Sequence, residues 1–251
     1  MTPPKRLSAR TCFTEADPHL ALARRAMAEF AGTLFLMLVV VGVGLATRRG
    51  SPTLGVMAGA LGVAGAIVGL IIAFGQVSGG HFNPLITLLQ YLSGLRNLNC
   101  TIVYIAAQVA GGIAGALTAA LMFGAFGPSS VTPLMTPGLA MSEFIASAGL
   151  MIIVFGCSRG GRTDTAPFAV GAWLAAAIMA TPSGSCANPA VALAEIFAMG
   201  PASLPAGTAF LYVLVQVVGA LLALATVNFC YPARPGELAV LQAAAENDRW
   251  L

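Results

Sequence analysis

Two asparagine–proline steps, Asn83-Pro84-Leu85 and Asn188-Pro189-Ala190, each stand at the head of a short apolar run. Asn is a strong helix N-cap, and Pro at the first helical position gives up a donor that the helix would not have used. Each step therefore predicts the start of a helix, over 83–93 and 188–199, too short to cross a bilayer. The chemistry such a start offers is recognition. A helix N-terminus carries about half a positive charge and unsatisfied N–H groups. The capping Asn spends its carbonyl on its own helix and keeps amide N–H donors to offer elsewhere. Two such ends facing one another would donate hydrogen bonds to a neutral solute and repel cations. Catalysis finds no support: no Ser/His/Asp set, phosphate loop or metal-ligand cluster is present. Neither a catalytic residue, nor a metal, nor a cofactor is implied.

The segments that must position these steps are of membrane length. Of 251 residues, 58% are hydrophobic and 8% charged, with a mean hydropathy of +0.87. Soluble domains carry roughly a quarter charged residues. Six spans are expected, over 26–47, 54–77, 100–124, 139–157, 166–182 and 207–230, with the half-helices after the second and fifth. The bilayer is thus one partner. A net charge of +3 without a basic, aromatic-interleaved run implies no nucleic-acid partner. Lys5, Arg6, Arg10, Arg24, Arg25, Arg96, Arg159, Arg162, Arg234 and Arg249 fall on the side of the termini, against Arg48 and Arg49 on the other. The positive-inside rule then puts both termini in the cytoplasm. Residues 1–23 read as a mobile tail without a signal-peptide core, and 233–251 as a second tail. The five cysteines are scattered and predict neither disulfides nor zinc.

Glu29 and Glu143 are ionisable groups at membrane depth, which makes function the default reading. They either relay protons or accept hydrogen bonds from irregular loop backbone, and the second is favoured. His81 is expected to make a structural or gating hydrogen bond. The glycines at 59, 62, 65, 69, 111, 112 and 115 are expected to let helices approach closely.

The chain also repeats itself. Ala28-Glu29-Phe30 matches Ser142-Glu143-Phe144, and Tyr104…Gln108…Gly111 matches Tyr212…Gln216…Gly219. Three spans per half force the second half, about 138–232, to insert upside down relative to the first, about 24–124. With the ordered motifs Ala-Glu-Phe-x-Gly-Thr, Ser-Gly-Gly-His-x-Asn-Pro, Tyr-x-x-Ala-Gln-x-x-Gly-Gly, Ser-Glu-Phe and Asn-Pro-Ala, residues 24–232 resemble the aquaporin, or major intrinsic protein, family. The resemblance implies an all-α membrane fold of six spans and two re-entrant half-helices, a homotetramer, and glutamates at 29 and 143 that brace the half-helix loops. Family spacing puts the selectivity filter at Val63, Ala176, Ser185 and Val191, which lacks the usual Arg, His and aromatic ring. Such a filter should be wide and weakly polar. The Cys-Ala-Asn-Pro-Ala-Val stretch looks most like that of arsenic-operon aquaporins, which suggests arsenite or methylated arsenicals beside water and polyols. Cys186 becomes the candidate mercurial site, and Leu85, in place of Ala, is expected to tighten the pore or shift its half-helix. Four functions compete: a passive channel, a proton-coupled transporter using Glu29 or Glu143, a membrane enzyme, and a scaffold with a closed pore. The channel fits best.

Overall fold

Pattern and cap chemistry become helices almost throughout. The computed structural model describes residues 12–17, 19–47, 52–125 and 135–231. The expected C-terminal tail, Arg48, Arg49 and the first eleven residues lie outside these. In order come α1 (Leu22–Thr47), α2 (Pro52–Ser78), α3 (Pro84–Leu92), α4 (Leu98–Phe123), α5 (Pro137–Arg159), α6 (Ala166–Ala180), α7 (Pro189–Ala194) and α8 (Ala206–Cys230). Five of them are long and apolar enough to cross a membrane, and α6, with 15 residues, is the short sixth member. This is an integral membrane fold.

The two halves pack alike. Helix α1 lies on α4 and α5 on α8, each pair closed by a glycine against a backbone carbonyl. A Cβ on Gly111 would stand 2.2 Å from the Phe30 oxygen, and one on Gly219 would stand 2.4 Å from that of Phe144. Small residues here buy direct backbone approach, as in other membrane helix pairs. The glycines of α2 differ from expectation. Of the four expected to pack closely, Cβ atoms on Gly59, Gly65 and Gly69 would meet nothing within 4 Å, and Gly62 alone abuts a neighbour, the Val43 side chain at 3.0 Å.

Two further expectations need correction. Helix α7 stops at Ala194, because the chain tightens into a 3-10 turn at Glu195–Phe197 and then extends into the left-handed Gly200 (φ 75°) before Pro201. And residues 12–17 do not hang free. Cys12 and Phe13 are buried in the core, Ala16 N–H donates to Gln76 O at 3.0 Å, and Glu15 pairs with Arg96 at 2.9 Å and with Arg25. Burial works against the Arg96 charge, but Glu15, with Tyr104 and Cys100, more than offsets it, so the guanidinium is held above its usual range.

Candidate functional site: a cavity between two asparagine caps

The half-helices α3 and α7 meet at their N-termini, and the asparagines tie them together. Asn83 Oδ1 accepts from Leu85 N–H at 2.9 Å, and Asn188 Oδ1 accepts from Ala190 N–H at 3.0 Å. Each Nδ2 then reaches across. Asn83 donates to Ala187 O at 2.9 Å and Asn188 donates to Phe82 O at 2.8 Å. The reciprocal brace uses one of the two amide hydrogens on each side and leaves the other for the lumen. Phe82 (φ 47°) and Ala187 (φ 44°) sit in the left-handed region to present these carbonyls. Such non-glycine residues are strained, on the order of 1 kcal/mol or more each, and persist only where the surroundings dictate them.

Those surroundings are the glutamates. Glu29 Oε1 accepts from Ser78 Oγ (2.6 Å) and His81 N–H (3.0 Å), and Oε2 accepts from Phe82 N–H and Gln108 Nε2 (both 2.7 Å). Glu143 repeats the pattern with Cys186 N–H (3.0 Å), Ala187 N–H (2.9 Å) and Gln216 Nε2 (2.7 Å). Both carboxyl groups are fully buried, and neither lines the cavity. A proton relay needs contact with the path, so this geometry gives the transporter reading nothing. Gln108 and Gln216 were visible in the sequence as repeat partners, but their role as second donors to the glutamates was not read from it.

A cavity of about 160 Å³ runs past both asparagines. A water occupies roughly 30 Å³ of the liquid, so several fit. Val63, Ser185 and Val191 line it, with Ile86, Ile67 and His81 further along. Ala176 does not. It is exposed on the far side of α6, because Leu174 and Ile178, two residues to either side, face the cavity, and two residues of helix turn a side chain by about 200°. Leu85 does not line it either. It is completely buried in the core, so it neither narrows nor closes the path. Cys186 lines the cavity, its Sγ donating to Glu195 Oε2 at 3.1 Å. Glu195 went unassigned in the sequence, although it is the only charged residue between 165 and 233. Among the described residues the buried Ser185 Oγ has no hydrogen-bond partner.

At the other mouth, His81 Nε2 donates to Phe13 O at 2.9 Å, so its Nδ1 is the acceptor, facing Thr87 Oγ1 at 2.8 Å. Gln90 Nε2 donates to the same carbonyl at 2.6 Å. Gly79, at φ 93°, leaves room for that carbonyl, which a Cβ would approach to 2.5 Å.

Paired half-helices in an inverted repeat, capped by Asn and braced by Glu, define a membrane channel architecture. The family model for the major intrinsic protein matches residues 18–200, and the chain belongs to that family. It is 36% identical over 219 residues to the aquaglyceroporin AqpS of Rhizobium meliloti (strain 1021), covering 85% of this chain and 93% of that one. It is 35% identical to the lens fiber major intrinsic protein of Gallus gallus, covering 61% of each. The X-ray structure of the aquaglyceroporin from Plasmodium falciparum superposes with a TM-score of 0.68 at 18% identity, over 81% of this chain and 94% of that one, and shares the fold.

Proposed function

We propose that the protein is a passive channel for small uncharged solutes, carrying water and glycerol-like polyols, with arsenite and methylated arsenicals as further candidates. The observation that carries this reading is the cross-braced asparagine pair in the wall of a cavity whose next turn bears Val191 where an Arg is usual. The free amide hydrogens donate to a passing oxygen, and the two helix ends disfavour cations, a device that excludes protons as well. Val63, Leu174, Ile178 and Val191 supply an apolar wall for the carbon face of a polyol. The aquaglyceroporin relative supports the solute class. The same reading, with the bacterial relative, puts the chain in a bacterial plasma membrane, and the distribution of Lys and Arg puts the termini and the His81 mouth on the cytoplasmic side. A homotetramer follows from family resemblance.

The test is light scattering on proteoliposomes of the purified chain with water, glycerol, urea, arsenite and methylarsenate. Water and glycerol flux without an ion gradient is expected. Flux that appears only with a proton gradient would overturn the channel in favour of a coupled transporter.

A further inference from the structure

The mouth beside Ser185 carries more polar chemistry than a channel lacking the filter Arg would need. Glu195 stands four residues beyond Val191, so both side chains project from one face of the half-helix and its terminal turn, and both line the cavity. The carboxyl group is buried, and Cys186 Sγ donates to its Oε2 at 3.1 Å. Among the described residues its Oε1 has no donor. Ser185, 5% exposed, lines the same cavity with its Oγ unpartnered. Leaving the buried Ser185 hydroxyl without a partner is unfavourable unless something from the lumen satisfies it.

The repeat says what that something resembles. Cys186 lies two residues before Asn188 and Glu195 seven after it; His81 and Gln90 hold those places around Asn83. In the first half the two side chains converge on one oxygen, the Phe13 carbonyl, at 2.9 and 2.6 Å. In the second half Cys186 bonds Glu195 itself, and both side chains line the cavity. The chemistry is inverted: two donors grip a carbonyl at the His81 mouth, whereas a carboxyl oxygen and a hydroxyl wait at the Ser185 mouth. Oxygen acceptors in that arrangement select groups that donate.

We propose that Glu195, with Ser185 and Cys186, forms a binding site for the hydroxyl groups of small neutral polyols, and that Glu195 is the residue that sets polyol preference over water. The site rests on the channel reading and deepens it. A polyol entering this mouth turns its O–H groups toward Glu195 Oε1 and Ser185 Oγ and its C–H face toward Val63, Leu174 and Ile178. Water, which needs no apolar wall, gains less from the arrangement.

The test uses the full chain in proteoliposomes with glycerol and water as the probes. Glu195→Ala is expected to lower the ratio of glycerol to water permeability at least threefold, with Glu195→Gln, which keeps one carbonyl acceptor and the side-chain shape, falling between. An independent readout is binding itself. Saturating glycerol should slow mixed-disulfide formation between Cys186 and a small methanethiosulfonate, which leaves as methanesulfinate, followed by peptide mass spectrometry, in the wild type and not in Glu195→Ala. An unchanged permeability ratio in both variants, or equal rates of Cys186 modification with and without glycerol in the wild type, would overturn the site. If instead Glu195→Gln left the ratio alone and reduced sodium leak, Glu195 would be a cation-attracting group and the polyol site would again fall. A wild-type chain that passes neither water nor glycerol would overturn the channel reading beneath it.

Discussion

At the scale of single residues, position along the chain and direction of the side chain prove to be separate facts. Leu85 shares the motif of the pore but points into the core, where it is completely buried. Leu85→Ala is therefore expected to cost about 2–4 kcal/mol through the cavity it leaves. It should lower thermal stability in detergent while the ratio of glycerol to water permeability stays that of the wild type; a widened pore would show as a raised ratio instead. Val191 is the opposite case, a cavity residue whose replacement changes what passes. Val191→Arg places a guanidinium one turn from Glu195, at the i, i+4 spacing at which opposite charges pair, so the new charge finds a partner already in the wall. The arginine then narrows the mouth, and glycerol flux should fall more steeply than water flux in stopped-flow scattering. Equal loss of both would mean that Val191 does not stand at the narrow point.

At the scale of elements, the half-helices work because each is held by the other. Asn188 caps α7 with its oxygen and ties to α3 with its nitrogen. Asn188→Asp keeps the cap, since Asp is as good at that position. It loses the donor to Phe82 O and sets two acceptors against each other, a loss of roughly 1–3 kcal/mol. It also puts negative charge between the two positive helix ends. Sodium leak into vesicles should rise; a cation-tight variant would count against the role given to the helix tips. The segment 12–17 is an element held in the same manner, by Glu15 on Arg96 and by the Phe13 carbonyl on His81 and Gln90. Burial, with Cys157 adding to it, pushes the Cys12 thiol up from its usual 9.0 to about 11. It is thus protonated at pH 8, and thiolate is the reactive form. Arg96→Ala should release the segment, return the thiol toward its ordinary range, and speed Cys12 alkylation at pH 8 by up to ~100-fold, the factor two pH units imply. An unchanged rate would mean that the ion pair does not hold the segment.

At the scale of the whole molecule, most of the architecture was legible because it is written twice. Glu29 with Glu143, Gln108 with Gln216 and the two Asn-Pro steps stand at matching places, and they form one network per half. What escaped was direction. The spacing that chose Ala176 carries no record of helix phase, and a run of apolar residues in α6 has no polar face to reveal it. Glu195 escaped for a different reason, since its partner Cys186 is met only when the loop folds back. Glycine content misled in the same way. It marks close packing only where another backbone arrives, which sequence does not say. Three substitutions separate the cases. Gly111→Ala and Gly219→Ala each drive a methyl group to within 2.2 and 2.4 Å of a rigid main-chain oxygen, so both helix pairs must part, whereas Gly65→Ala meets nothing within 4 Å. The first two are expected to lose 1–3 kcal/mol or more, as overpacked sites do, and to do so by similar amounts because the halves are built alike. Gly65→Ala should hold or gain about 0.5–1 kcal/mol, the helix preference of Ala over Gly. Thermal unfolding of the three purified variants in one detergent decides it: a tolerant Gly219→Ala beside a crippled Gly111→Ala would mean that the two halves share a sequence pattern without sharing the packing it was taken to encode.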